Sequence, residues 1–116
     1  MAHPIVHWEI GAKNVAKMSD FYAKLFDWPI DMTNPAYAMV DAQGDGIGGG
    51  IMQTPEQAPP YVSFYVSVDD LEAMLAKAKG LGATTIVPPT PIEGVGAFAM
   101  FSDPEGHVIG LLKPKM

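Results

Sequence analysis

Residues 61–68 alternate, with Val62, Phe64, Val66 and Val68 on one face and Tyr61, Ser63, Tyr65 and Ser67 on the other. A period of two predicts a strand. Residues 5–10 divide the same way, Val6, Trp8 and Ile10 against Ile5, His7 and Glu9. After each strand the apolar step changes to three and four, through Val15, Met18, Tyr22 and Leu25 and again through Leu71, Met74, Ala78 and Leu81. That spacing predicts two amphipathic helices, with Asn14 and Asp70 placed as N-caps. Pro29 should stop the first helix, and Gly80 and Gly82 the second. Shorter strands are predicted over residues 30–32, 37–40 and 48–53, then over 85–87, 98–101 and 108–113.

The two series are copies of one plan. Residues 8–30 overlay residues 64–86 at an offset of 56, pairing Ile10 with Val66, Val15 with Leu71, Met18 with Met74 and Leu25 with Leu81. Tyr37 to Val40 fall on Phe98 to Phe101 at an offset of 61, which also carries Gly49 onto Gly110. The added residues are assigned to the proline-bearing stretch 88–97, whose Gly94 and Gly96 suit either a lid or a passive surface loop. Residues 54–60 carry three prolines and read as a stiff, extended linker. The expected organisation is one α+β domain: module one over 1–53, linker 54–60, and module two over 61–116, each β-α-β-β-β.

Composition narrows the chemistry. With 116 residues the chain suits a single core. It has no cysteine, so disulfides and thiolate metal sites are excluded. Seven cations, all Lys, against thirteen acids give a net charge of -6, which repels nucleic-acid phosphates. Without Arg there is no bidentate clamp for carboxylate or phosphate. No apolar run is long enough to span a membrane, and the first residues lack a signal-peptide pattern. A cytoplasmic protein with no nucleic-acid or membrane partner is expected.

Asp103, Pro104, Glu105 and Gly106 have the composition of a type I turn joining two antiparallel strands. Set in the second of two βαβββ repeats, with His7, Phe21, Tyr22, Val68 and Asp69, this turn completes a pattern that resembles the vicinal oxygen chelate superfamily. That superfamily includes glyoxalase I, extradiol dioxygenases, and fosfomycin- and bleomycin-resistance proteins. The resemblance implies two modules forming a curved mixed sheet around a cleft. In metal-using members it also implies a divalent ion held by side chains of the first and fourth strands of each module. Those four positions fall here on His7, Ser63, Gly49 and Gly110, of which His7 alone is a ligand type. The usual metal site, and any other cofactor, is therefore expected to be absent. A rebuilt site would have to use His7 and Glu9, two residues apart on one strand face, with His107 or Glu93 as a third ligand.

The ligand-binding candidates are His7, Glu9, Tyr61, Ser63 and Tyr65 on a shared face, with Gly49 and Gly110 as an open floor. The tyrosines could instead pack at a subunit interface. His107, after the turn glycine, is expected at the surface, and Met52 could line an adaptable pocket. The glycines of residues 44–50 invite a phosphate-loop reading, but no helix pattern follows them, so a turn and a strand are expected. The favoured function is a bleomycin-resistance-like protein that binds a small cationic or aromatic molecule without metal, as a homodimer, and lacks glyoxalase I activity. One alternative is a divalent-metal lyase or dioxygenase-like enzyme using His7 and Glu9. A second is a non-catalytic dimeric interaction module.

Overall fold

A computed structural model describes residues 2–115; Met1 and Met116, the outer ends of the two expected modules, lie outside them. The elements run β1 (Ile5–Ala12), α1 (Val15–Phe26), β2 (Ile30–Asp31), β3 (Tyr37–Val40), β4 (Gly49–Gln53), β5 (Tyr61–Ser67), α2 (Leu71–Gly80), β6 (Thr84–Ile92), β7 (Gly96–Ser102) and β8 (Val108–Pro114). The fold is mixed α+β, two βαβββ modules in succession. Contacts divide the chain into two compact units: His7–Ser63, and the residues from Phe64 onward together with the stretch up to Val6. The start of β1 thus belongs with the later unit, where Pro4 O accepts from Ser67 N at 2.9 Å.

In the first unit the strands lie in the order β2-β3-β4-β1, with β1 parallel to β4 and the other pairs antiparallel. α1 covers one face through Val15, packed with Ala12, Ala38, Val40 and Ile51, and flanked by Trp8, Ile10, Met18 and Tyr22. The Asn14 side chain caps α1 by accepting from Lys17 N at 3.0 Å, and Asp27 ends it in the left-handed region. Tyr22 stacks on Trp28, which leans on Trp8. The later unit repeats the plan in the order β5-β8-β7-β6, with β5 parallel to β8. α2, capped by Asp70, sets Leu71 and Leu75 against Val68, Ala99 and Leu111.

Several expectations are corrected. Residues 88–92 are not part of a loop. β6 continues through Ile92, paired with β7 to Ile92↔Gly96 and broken by irregularities that accommodate Pro88 and Pro89. An edge strand tolerates prolines because its outer N–H groups need no partner. Residues 54–60 are not extended either: Ala58 N bonds Pro55 O at 3.0 Å, and the Lys13 ammonium donates to the carbonyls of Pro55, Glu56 and Ala58. Leu25 and Leu81, read as the last apolar steps of the helices, are 57% and 73% exposed.

The registers also correct the repeat. Ile10 pairs with Ile51 and Ala38 with Ile51 in the first unit, while Val66 and Ala99 both pair with Leu111 in the later one. The third strands keep the offset of 61, but the fourth strands match Ile51 to Leu111. Gly110 therefore corresponds to Gly50, not to Gly49.

Candidate functional site

The face of the first unit turned away from α1 carries His7, Glu9 and Gly11, since alternate residues of β1 point to opposite sides. Glu9 is 1% exposed. Its oxygens are held separately: Tyr37 Oη donates to Oε1 at 2.9 Å and Tyr61 Oη to Oε2 at 2.6 Å. His7 Nε2 lies 2.8 Å from the same Tyr37 Oη, and the two rings are nearly parallel at 16°. His7, Tyr37 and Tyr61 are half-buried. Charge-assisted bonds of this kind are what allow a carboxylate to stay inside a fold.

Two glycines make room for the arrangement. A Cβ on Gly50, paired in register with Glu9, would overlap the Tyr37 ring, and one on Gly11 would overlap the Tyr61 ring. Bare backbone on either side of Glu9 lets both rings settle against the strands with their hydroxyls converging. Met52 Sδ lies 3.9 Å from Tyr61 Oη, but the hydroxyl has one proton and the much shorter approach to Glu9 takes it.

Burial lowers the pKa of His7 from its ordinary 6.5, and this outweighs the opposing pull of the Glu9 charge. The imidazole is therefore neutral at neutral pH. His107 is an exposed turn residue: its Nδ1 meets Asp103 Oδ2 at 2.9 Å. Asp103 is held below its usual value chiefly by the His107 backbone N–H, with the Glu105 N–H adding to it.

The structure brings three of the sequence-derived candidates, His7, Glu9 and Tyr61, into one network. Ser63 is buried in the same unit at 4% exposure. Gly49 is not a floor for a ligand. It faces α1, where a Cβ would overlap the Trp8 ring, because it pairs with Trp8 and shares that residue's side. Tyr65 and Gly110 belong to the later unit, with the Tyr65 ring over Gly110 and edge-on to Phe98 at 6.5 Å. An open floor at Gly110 is thereby corrected as well.

Tyr37 was not a candidate from sequence. The available signal was its repeat partner Phe98, which has the same ring without the hydroxyl. The matched sets are Glu9, Tyr37 and Gly50 in one unit and Tyr65, Phe98 and Gly110 in the other.

The side chains present do not fit the family's divalent ion. Among the described residues no three His, Asp or Glu side chains come together. Both oxygens of Glu9 already accept tyrosine protons, Ser63 stands at the position equivalent to His7, and Gly50 and Gly110 stand at the fourth-strand positions.

Paired βαβββ modules with a short Asp103–Gly106 turn before the last strand define a glyoxalase-type fold. The chain belongs to the Glyoxalase/Bleomycin resistance protein/Dioxygenase superfamily, whose family model matches residues 4–111. It is similar to CFP32 of Mycobacterium tuberculosis (strain CDC 1551 / Oshkosh), which carries a glyoxylase name, at 42% identity over 72 residues, 61% of this chain and 28% of that protein. It is also similar to the anthracycline biosynthesis protein DnrV of Streptomyces peucetius, at 25% identity over 85% of this chain and 42% of DnrV. The chain thus spans less than half the length of these curated relatives. Among solved structures, a superfamily member from Vibrio splendidus 12B01 shares the fold at TM-score 0.66 and 12% identity, covering 98% of this chain and all of that one. No helix among the described residues is long and apolar enough to cross a membrane.

Proposed function

We propose that this chain binds a small aromatic or cationic molecule at the His7, Tyr37 and Tyr61 face and does so without a divalent ion. The observation that carries this reading is the engagement of both Glu9 oxygens by tyrosine hydroxyls in a side chain that is 1% exposed. A cation competing for Glu9 would have to break those bonds, leaving His7 as its other ligand. Catalytic ion sites normally supply about three protein ligands. What the face offers a ligand is two tyrosine rings, an imidazole and their polar edges. A net charge of -6 and the tyrosine faces favour a cation. A homodimer is part of the same proposal, supported by Phe21, Leu25 and Phe26 exposed around α1.

Elemental analysis of the purified protein, alongside thermal melts with benzyltrimethylammonium, tests the reading. Substoichiometric metal and an upward shift unaffected by chelator are expected. Near-stoichiometric divalent ion that is lost in His7→Ala would overturn it.

A further inference from the structure

We propose that the outer face of α1 is a self-association seam, on which a second copy of this chain docks with its own α1 antiparallel and the two-fold axis level with Tyr22. The inference rests on the homodimer reading above and adds to it the surface, the orientation and the register.

Val15 and Ser19 turn inward and are buried, whereas Lys17, Asp20, Phe21, Lys24 and Leu25 line one open depression on the outside of the helix. Phe21 and Leu25, both more than half exposed, follow one edge of this face. The Phe21 ring already lies edge-on to Tyr22 at 5.0 Å, so burying it against a partner costs little further ordering. Phe26 is instead turned back onto Tyr22 and Trp28. The other edge carries Lys17, Asp20, Lys24 and, at the C-cap, Asp27, in alternating sign. Reversed about Tyr22, this series is its own complement. In an antiparallel pair centred there, Lys17 stands level with Asp27 of the second copy, and Asp20 with Lys24. The 2.9 Å bridge between Asp20 and Lys24 within each helix then joins its symmetry mate in a ring of four alternating charges. A parallel pair would set every charge against its own sign. Sliding the antiparallel pair brings Lys17 against Lys24 in one direction and Asp20 against Asp27 in the other. A two-fold axis also maps each edge onto its own copy, so Phe21 and Leu25 meet Phe21 and Leu25. Exposed ion pairs add little affinity but fix orientation and register, while the apolar edge supplies the attraction. At the offset of 56 the matching positions of α2 are Ala73, Ala76, Lys77, Gly80 and Leu81, with neither alternating charges nor an aromatic ring, which assigns the seam to α1. One helix from each copy makes a small interface, below roughly 1,200 Å2, so the pairing should be reversible and concentration-dependent.

Sedimentation equilibrium of the full chain across a concentration series tests this, with circular dichroism checking that each variant keeps its fold. Wild type should show a reversible monomer–dimer equilibrium. Asp20→Lys and Lys24→Asp should each raise the dissociation constant about tenfold or more, since each turns the ring of four into like charges. Combining the two exchanges in one chain should return it to within about threefold of wild type. Mixing the two single variants in equal amounts should give a heterodimer tighter than either homodimer, which a role for these charges inside their own helix would not produce. Phe21→Ala should also weaken the dimer; if it perturbs the helix through Tyr22, the charge variants at their exposed positions decide. A chain that stays monomeric at every concentration would sink both the seam and the homodimer reading. A dimer whose dissociation constant ignores both single charge variants would sink the seam alone. Thermal melts with benzyltrimethylammonium report on the ligand reading separately in either case.

Discussion

Tyr61 Oη and Glu9 Oε2 meet at 2.6 Å across 52 residues of sequence, joining the first residue of β5 to the middle of β1. The contact adds a hydrogen bond to the second oxygen of a buried acid whose first oxygen accepts from Tyr37. Tyr61→Phe should therefore cost about 2 kcal/mol, the usual order for removing a hydrogen bond to a buried charged group. Glu9→Ala should cost about 3 kcal/mol, since it removes the bonds that both hydroxyls make to the acid and opens a cavity. Urea midpoints at neutral pH measure both.

The two neighbouring glycines of β4 separate by consequence. Gly50→Ala should push the Tyr37 ring off Glu9, destabilise the fold by about 2 kcal/mol through overpacking, and shift the His7 resonances. Gly49→Ala should act on the opposite face, altering Trp8 fluorescence and leaving the His7 resonances near their wild-type positions.

Acid should weaken the fold through His7 in a definable window. Its folded pKa is lowered, so between that value and 6.5 the unfolded chain holds the extra proton, and stability rises with pH. The gain is complete above 6.5 and lost as pH falls toward the folded value. His7→Gln should remove this segment of the stability profile. Asp103, whose pKa is lowered, contributes in a separate, more acidic region below its ordinary 3.8. Denaturant midpoints of wild type and variant across this range test the sign.

Ser19, on the buried side of α1 at 4% exposure, has a hydroxyl with no hydrogen-bond partner. Ser19→Ala should stabilise the protein by about 1 kcal/mol, by removing an unsatisfied group and improving helix propensity. A higher melting temperature is the expected readout.

Much of the fold was legible because local rules and tertiary packing agree. Asn14 and Asp70 cap the helices that their spacing predicts, and Ala38 and Ala99 mark the same buried position in each module. The failures share a cause: sequence spacing is blind to register and to ring placement. A one-residue difference in offset between the third and fourth strands moved the key glycine from Gly49 to Gly50, and with it from one side of the strand to the other. The turn at residues 55–58 depends on Lys13, about forty residues away, which no local pattern could signal. Tyr37 escaped notice because an aromatic residue in a strand is unremarkable until its hydroxyl is seen against Glu9.

The twin organisation gives this molecule an internal control. Where one half places an acid under a phenol, the other places a phenol beside a plain benzene ring, on matching strands with a matching glycine below. Grafting the acid and phenol of the earlier half onto the later one, or erasing them where they stand, would compare two versions of a single architecture inside one polypeptide and separate what the scaffold supplies from what the chemistry adds.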